Sequence, residues 1–300
     1  MTGPAKPHLP GHIAAALSRA GGNGDSAGQP WQDRRLKSET QYHNFEDDDG
    51  GTDAGYAAAL ASLAAGTADE AAVVRSLALA RVFVPIVAEV AETTVDASGL
   101  ASDKESDMAL VTIQAPDGRR ALPVFSSARS VALWHPQARP VAVHAARAAL
   151  SAAAEEAQLM VVDPGAEIPF VVRRPAVWAL AQQQPWLPSY DDPQVLTAVR
   201  RAVDQLSGTE GSVTDTLASR YLSGFRVQAG SGVASRSASG AVICGGGAGP
   251  ELRVVLYLRP GLNQLGVESL TGGLQQGWAM DEVFAERVDS VEISLRPAAV

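Results

Sequence analysis

Leu122-Pro-Val-Phe-Ser-Ser-Ala-Arg-Ser-Val-Ala-Leu-Trp-His-Pro-Gln-Ala-Arg-Pro-Val141 is the stretch on which the fold turns. Its first residues read as the end of a strand running from Arg120 to Phe125. Ser127 then offers a side-chain oxygen to first-turn amides, which predicts a short helix ending at Trp134. Val141 to His144 reads as the next strand. With its neighbours, this strand, helix and strand fit a mixed α+β pattern rather than strict βαβ alternation.

Upstream, Pro116-Asp-Gly-Arg119 is a turn signal, because Pro presets φ and Asp-Gly tolerates positive φ. It predicts a hairpin between Met108–Ile113 and Arg120–Phe125. Val82-Phe-Val-Pro-Ile-Val-Ala-Glu-Val90 is short and β-branched, as a buried strand is. Pro85 removes a ladder donor and favours an edge or a bulge. Thr67-Ala-Asp-Glu70 has the spacing of a capping box, with Val73, Val74, Leu77 and Ala80 at helical intervals behind it. Downstream, Ala145 to Gln158 is Ala-rich and helical. Strands are expected at 159–162 and 168–172, joined by the turn Asp163-Pro-Gly165. Pro175 to Gln183 reads as a helix with Pro at its first position. Together these give a first α+β domain, residues 55–185.

Gln184-Pro-Trp-Leu-Pro-Ser-Tyr-Asp-Asp192 has the Pro-rich, aromatic character of a junction. Asp192 caps an amphipathic helix whose stripe is Val195, Val199, Ala202 and Leu206. A Gly/Ser-rich zone, 230–249, precedes a strand over 251–258. A helix from Leu262 follows, weakened at Gly272 and Gly273, and a strand over 288–295 closes a βαβ unit. Residues 190–300 are thus expected to form a small α/β sandwich. Residues 1–54 carry scattered Gly and Pro and end in the acidic run Glu46-Asp47-Asp48-Asp49. They lack apolar periodicity after Leu17, which predicts a disordered tail. The fold class expected is α+β, as two small mixed α/β domains in tandem after that tail.

The chain of 300 residues has 24 Lys plus Arg against 33 Asp plus Glu, a net charge of −9. That balance opposes a general nucleic-acid binder. One cysteine, Cys244, excludes an internal disulfide framework. No stretch reaches the roughly 18 apolar residues of a membrane span, and the N-terminus lacks a signal-peptide core. A cytoplasmic location is expected.

Catalytic signatures are missing where they are sought. Cys244-Gly-Gly-Gly-Ala-Gly249 lacks the Gly-Lys-Ser/Thr end of a Walker loop and the third glycine of a dinucleotide loop, and it leads into a strand. It is read as a long hairpin loop. Cys244 after Val242-Ile243 is expected to be a small buried hydrophobe. The histidines at 8, 12, 43, 135 and 144 form no metal-ligand spacing, and G-x-S-x-G is absent. No metal, no cofactor and no catalytic residue is predicted. Asp191-Asp192 is explained by helix capping.

The quoted stretch, with Trp134-His-Pro136 and Arg139-Pro-Val141, resembles the N-terminal domain of the SseB family (enhanced serine sensitivity protein B). Asp163-Pro-Gly-Ala-Glu-Ile-Pro-Phe170 is similar to the same domain's turn and strand, and the likeness covers about 56–185. Leu252-Arg-Val-Val-Leu-Tyr-Leu-Arg-Pro-Gly261 with Ala285-Glu-Arg-Val-Asp289 resembles the family's C-terminal domain. The Ala- and Arg-rich composition suits an actinobacterial member. The resemblance implies a cytoplasmic bacterial protein with an α+β fold and no established reaction, linked by its name to serine or sulfur metabolism.

Two functional classes follow. One is a non-catalytic binding or scaffold protein for a protein or small-molecule partner. Its surface would gather Phe125, Ser126, Trp134, His135, Arg139 and Phe170, although Phe125 and Phe170 also suit a core. The other is a hydrolase or transferase using Cys244 or His144, for which no organised constellation is visible.

Overall fold

Asp53 opens the first helix by accepting from the Tyr56 amide at 2.8 Å. The computed structural model describes residues 45, 48–89, 107–115, 117–208 and 216–298. The predicted tail up to residue 44 and the polar stretch 92–106 lie outside the described residues. Residues 48–54, expected to be tail, are instead tied down: Asp48 pairs with Arg81, and the Gly50 carbonyl accepts from the Ala128 amide at 2.9 Å. The described residues from Asp48 onward form one compact unit.

Helix α1 (Ala54–Ala64) is followed by α2 (Glu70–Leu77). The N-cap of α2 is Asp69, which accepts from Ala72, and not Thr67, whose hydroxyl donates back to the Ser62 carbonyl. Glu70 is therefore free of capping duty and is buried. Then come β1 (Arg81–Glu89), β2 (Asp107–Leu110), β3 (Ile113–Gln114), β4 (Arg120–Val124), α3 (Ala128–Trp134), β5 (Arg139–His144), α4 (Ala145–Ala154), β6 (Leu159–Val162), β7 (Phe170–Val172) and α5 (Arg174–Ala181). One sheet has the order β2-β1-β5, the other β3-β4-β6-β7. A hairpin pairs β3 with β4 across 113–121, although Pro116 of the predicted turn lies outside the described residues, while Met108 to Leu110 pairs with β1 instead.

Pro85 sits in a central strand, against expectation. The amide of Phe83 points to the Phe125 carbonyl, at 2.7 Å. Alternation turns the nitrogen of Pro85 to the same side. There the pairing with β2 begins only at Ile86, so no acceptor is left waiting for the missing donor.

The main core joins Val82 and Val84 of β1, Leu122 and Val124 of β4, Met160 and Val162 of β6, and Val73 and Leu77 of α2. The alanine face of α4 (Ala145, Ala148, Ala149, Ala152) brings that helix close. A small satellite core holds Phe83, Phe125, Val131 and Ala138, with Trp134 against it.

The second half adds α6 (Pro193–Ser207), α7 (Leu217–Tyr221), β8 (Leu222–Ala229), β9 (Ala234–Arg236), β10 (Val242–Gly246), β11 (Leu252–Leu258), α8 (Gln264–Met280), α9 (Glu282–Arg287) and β12 (Val291–Pro297). Its sheet runs β12-β11-β8, with β11 and β12 parallel as a βαβ unit requires. The Asp192 cap and the α6 stripe are as predicted, and Val195, Val199 and Ala202 meet Leu252, Leu256 and Trp278 in a second core.

Helix α8 does not weaken at Gly272 and Gly273; it continues to Met280. A Cβ at Gly273 would lie 2.9 Å from Leu206, and one at Gly277 3.2 Å from Ala202, both on α6. The glycines let two helices close on each other, and that packing outweighs their poor intrinsic propensity.

The glycine run is partly strand. Val242–Gly246 pairs with β9, and Ile243 enters the main core of the first half. Alternation then turns Cys244 outward, so the cysteine is exposed rather than buried. Beyond it two backbones touch: a Cβ at Gly232 would lie 2.0 Å from the backbone of Gly249. Only glycine allows that approach.

Candidate functional site

Two arrangements of polar groups stand out. The first lies where the second half meets the first. Arg173, 1% exposed, donates to the carbonyls of Gly249 at 2.7 Å and Gly232 at 2.8 Å. Asp289 lies beside it at 3.4 Å and takes a two-pronged pair from Arg119 at 2.8 and 2.9 Å. Glu251 accepts the amides of Ser189 and Asp289, each at 3.0 Å. Glu70 accepts the Gly246 amide at 2.8 Å and the Tyr190 hydroxyl at 3.0 Å. Burial pushes both glutamates above the usual carboxylate range, opposed by these hydrogen bonds and by the charge of Arg173. Raised carboxyls can mark catalysis. Here, however, each oxygen of both groups is already held by a donor from another segment. The arrangement clasps the β9–β10 arm and the junction together.

The second arrangement surrounds the stretch Phe125 to Trp134. Phe125 follows the last residue of β4 and bridges Phe83 through paired backbone hydrogen bonds of 2.7 and 2.8 Å. The chain then turns into α3, capped by Ser127, which accepts from Ser130 at 3.1 Å. Ser126 is fixed on three sides. Its amide donates to Asp163 Oδ1 at 2.9 Å, its hydroxyl meets that of Thr52 at 3.0 Å, and its carbonyl accepts from Arg81 at 3.0 Å. The Arg81 guanidinium is otherwise occupied by both oxygens of Asp48 and by the Gly51 carbonyl, and it lies 4.2 Å from the Phe83 ring centre. That grip holds the Asp48 carboxyl below its ordinary range.

Between α3 and the turn after β6 opens a cavity of about 300 Å³, lined by Phe125, Ser130, Leu133, Trp134, Asp163, Pro164, Gly165 and Ala166. The Phe125 and Trp134 rings are 5.2 Å apart and tilted by 47°. Leu133 is 75% exposed at the rim. Asp163, with φ of 50°, sits in the left-handed region, held by its amide to the Val124 carbonyl at 2.8 Å. It is 7% exposed and makes no ion pair among the described residues. Its charge, after burial, helps push the neighbouring Tyr56 phenol upward; that hydroxyl is sealed and without a partner among the described residues.

The structure thus brings Phe125 and Trp134 together on one cavity, with Ser126 behind it. His135 stands 6.0 Å from the Trp134 ring with a sealed Nδ1 lacking a partner among the described residues. Arg139 is exposed on β5 and does not line the cavity. Phe170 lies in the main core, against the backbone at Gly246. Of the enzyme candidates, Cys244 stands exposed on β10, and His144 closes β5 at the start of α4, on a different sheet. Sequence reasoning passed over Asp163, which reads as a turn residue before Pro-Gly. Among the described residues no group of three or more His, Cys, Asp or Glu could hold a metal, and no helix is long and apolar enough to cross a membrane.

Residues 57–179 match the family model described as the SseB protein N-terminal domain. No curated protein and no solved structure matches the chain. The matched residues include both walls of the cavity and Glu70, Arg119 and Arg173, the first-half members of the clasp.

Proposed function

We propose that the chain, which belongs to the SseB family through residues 57–179, is a non-catalytic binding module whose recognition surface is the cavity between α3 and the turn after β6. One observation carries this reading. Phe125 and Trp134 belong to a satellite core outside the main one, and they meet over an open cavity with a buried carboxylate in its wall. A concave, aromatic-lined site with a single well-placed polar group is the usual form of a ligand pocket. In the clasp, by contrast, every carboxylate oxygen of Glu70 and Glu251 is committed to holding segments in place. A link to serine or sulfur metabolism stays an expectation of the family name.

The test is recovery of partners or metabolites from the native cell by the full chain and by a Trp134→Ala variant, with melting temperatures measured in parallel. The binding reading expects one reproducible component lost from the variant at unchanged melting temperature. Equal recovery by both proteins overturns it, and so does loss of folding, which would make Trp134 a core residue alone.

A further inference from the structure

We infer that the Trp134 cavity accepts an organic cation, an ammonium or guanidinium group, with Asp163 as its counter-charge. The inference rests on the binding reading above and names the ligand class of the same site.

Asp163 is a carboxylate that is more than nine-tenths buried without a cation. Its Oδ1 takes the Ser126 amide; its Oδ2 takes no hydrogen bond among the described residues and is not sealed among the unpartnered buried atoms. A largely buried carboxylate with one oxygen unpartnered and no counter-charge gains from a cation that reaches it. The basic side chains nearby are committed or absent from the cavity. Arg81 is saturated by Asp48, Gly51 and Ser126 from behind, and Arg129 and Arg139 do not line it. The other walls include Trp134 and Phe125, aromatic rings whose faces attract positive charge, Trp best of all. The Ser130 hydroxyl, already engaged with Ser127 at 2.8 Å, adds an acceptor at the rim. An anion would meet Asp163 repulsively, and a neutral apolar ligand would leave its free oxygen unpaired. A cavity of about 300 Å³ suits a small amine or guanidine, or the end of one basic side chain.

The backbone supports the assignment. Asp163 occupies φ of 50° at the end of β6, a conformation that Asp and Asn tolerate better than other residues with side chains. Asp163→Asn therefore keeps both the turn and the acceptor for the Ser126 amide while removing the charge.

The experiment titrates the full-length protein with agmatine, with its uncharged analogue butylurea, and with an acetylated, amidated Gly-Arg-Gly peptide. Binding is followed by calorimetry in wild type, Asp163→Asn and Trp134→Phe. Saturable binding of agmatine or of the peptide, absent for butylurea, is expected. Asp163→Asn should weaken it about tenfold to a hundredfold, the range of a hydrogen bond to a charged group, and Trp134→Phe by a smaller factor. Tighter binding of the peptide than of agmatine assigns the cation to a partner protein's arginine; the reverse assigns it to a free metabolite. Equal binding of agmatine and butylurea, unchanged affinity in a folded Asp163→Asn, or no saturation by either cation overturns the inference. If no cation binds while recovery from cells still depends on Trp134, the ligand class fails and the binding reading stands.

Discussion

Arg173→Met tests whether the two halves are held by one buried guanidinium. The methionine keeps the apolar stem but removes the donors to the Gly249 and Gly232 carbonyls, at 2.7 and 2.8 Å. Each orphaned buried acceptor costs about 1–3 kcal/mol. Asp289 is spared the full penalty of an unpaired charge because Arg119 still grips it at 2.8 and 2.9 Å. The loss should therefore total about 3–5 kcal/mol, within the range for breaking buried charged contacts. For a unit of this size that lowers the melting temperature by about 6–20 °C. The deficit should also grow with pH. Glu70 and Glu251 are raised above 4.5 by burial, and Arg173 works against that rise. A carboxyl raised in the folded state favours folding below its unfolded value, and that advantage fades as pH climbs through the folded value. Without Arg173 both rise further, so the variant is worse off at pH 8 than at pH 5. Calorimetric melting across pH, with hydrogen exchange on the 234–246 arm, checks both points. A fall under about 3 °C, or a deficit that shrinks as pH rises, would refute the reasoning.

Glu70→Gln keeps an acceptor for Gly246 and a partner for Tyr190 while removing a charge that burial disfavours. Its stability should match or exceed wild type at pH 8, the gap closing as pH falls towards 4.5, as read by denaturant titration. Gly232→Ala places a methyl 2.0 Å from the Gly249 backbone, which cannot yield as a side chain would. It should cost about 3 kcal/mol or more, seen as a lowered urea midpoint or loss of soluble protein. Cys244 is exposed on β10, so native protein should take up one equivalent of iodoacetamide with a melting temperature unchanged to about 1 °C, confirmed by mass and calorimetry.

Where one residue's local chemistry dictates structure, the sequence is read correctly. The Ser127 cap, the Asp192 cap with Pro193 and the α6 stripe are such cases, as is the parallel pair of β11 and β12. The errors come from long-range partners. Glu70 has the spacing of a capping residue, yet its ligands are Tyr190 and Gly246, the latter 176 positions away. Pro85 is harmless in a central strand only because β2 begins one residue later. Gly273 and Gly277 lower helix propensity but admit α6. In the candidate site, Phe125 and Trp134 are visible as aromatics around a capped helix. Asp163 is not, because Asp-Pro-Gly looks like a turn and the carboxylate's solitude depends on which cations the fold leaves elsewhere.

The β9–β10 arm has a practical consequence for anyone who divides this chain. A fragment cut at residue 185, where the Pro-rich junction invites the cut, would strip Ile243 from the main core and take Gly246 and Tyr190 away from Glu70. It would carry the whole family-matched segment and still expose a fresh apolar scar beside an abandoned carboxylate. Such a fragment should be sticky and poorly folded, and adding residues 186–298 as a separate polypeptide should rescue it by complementation.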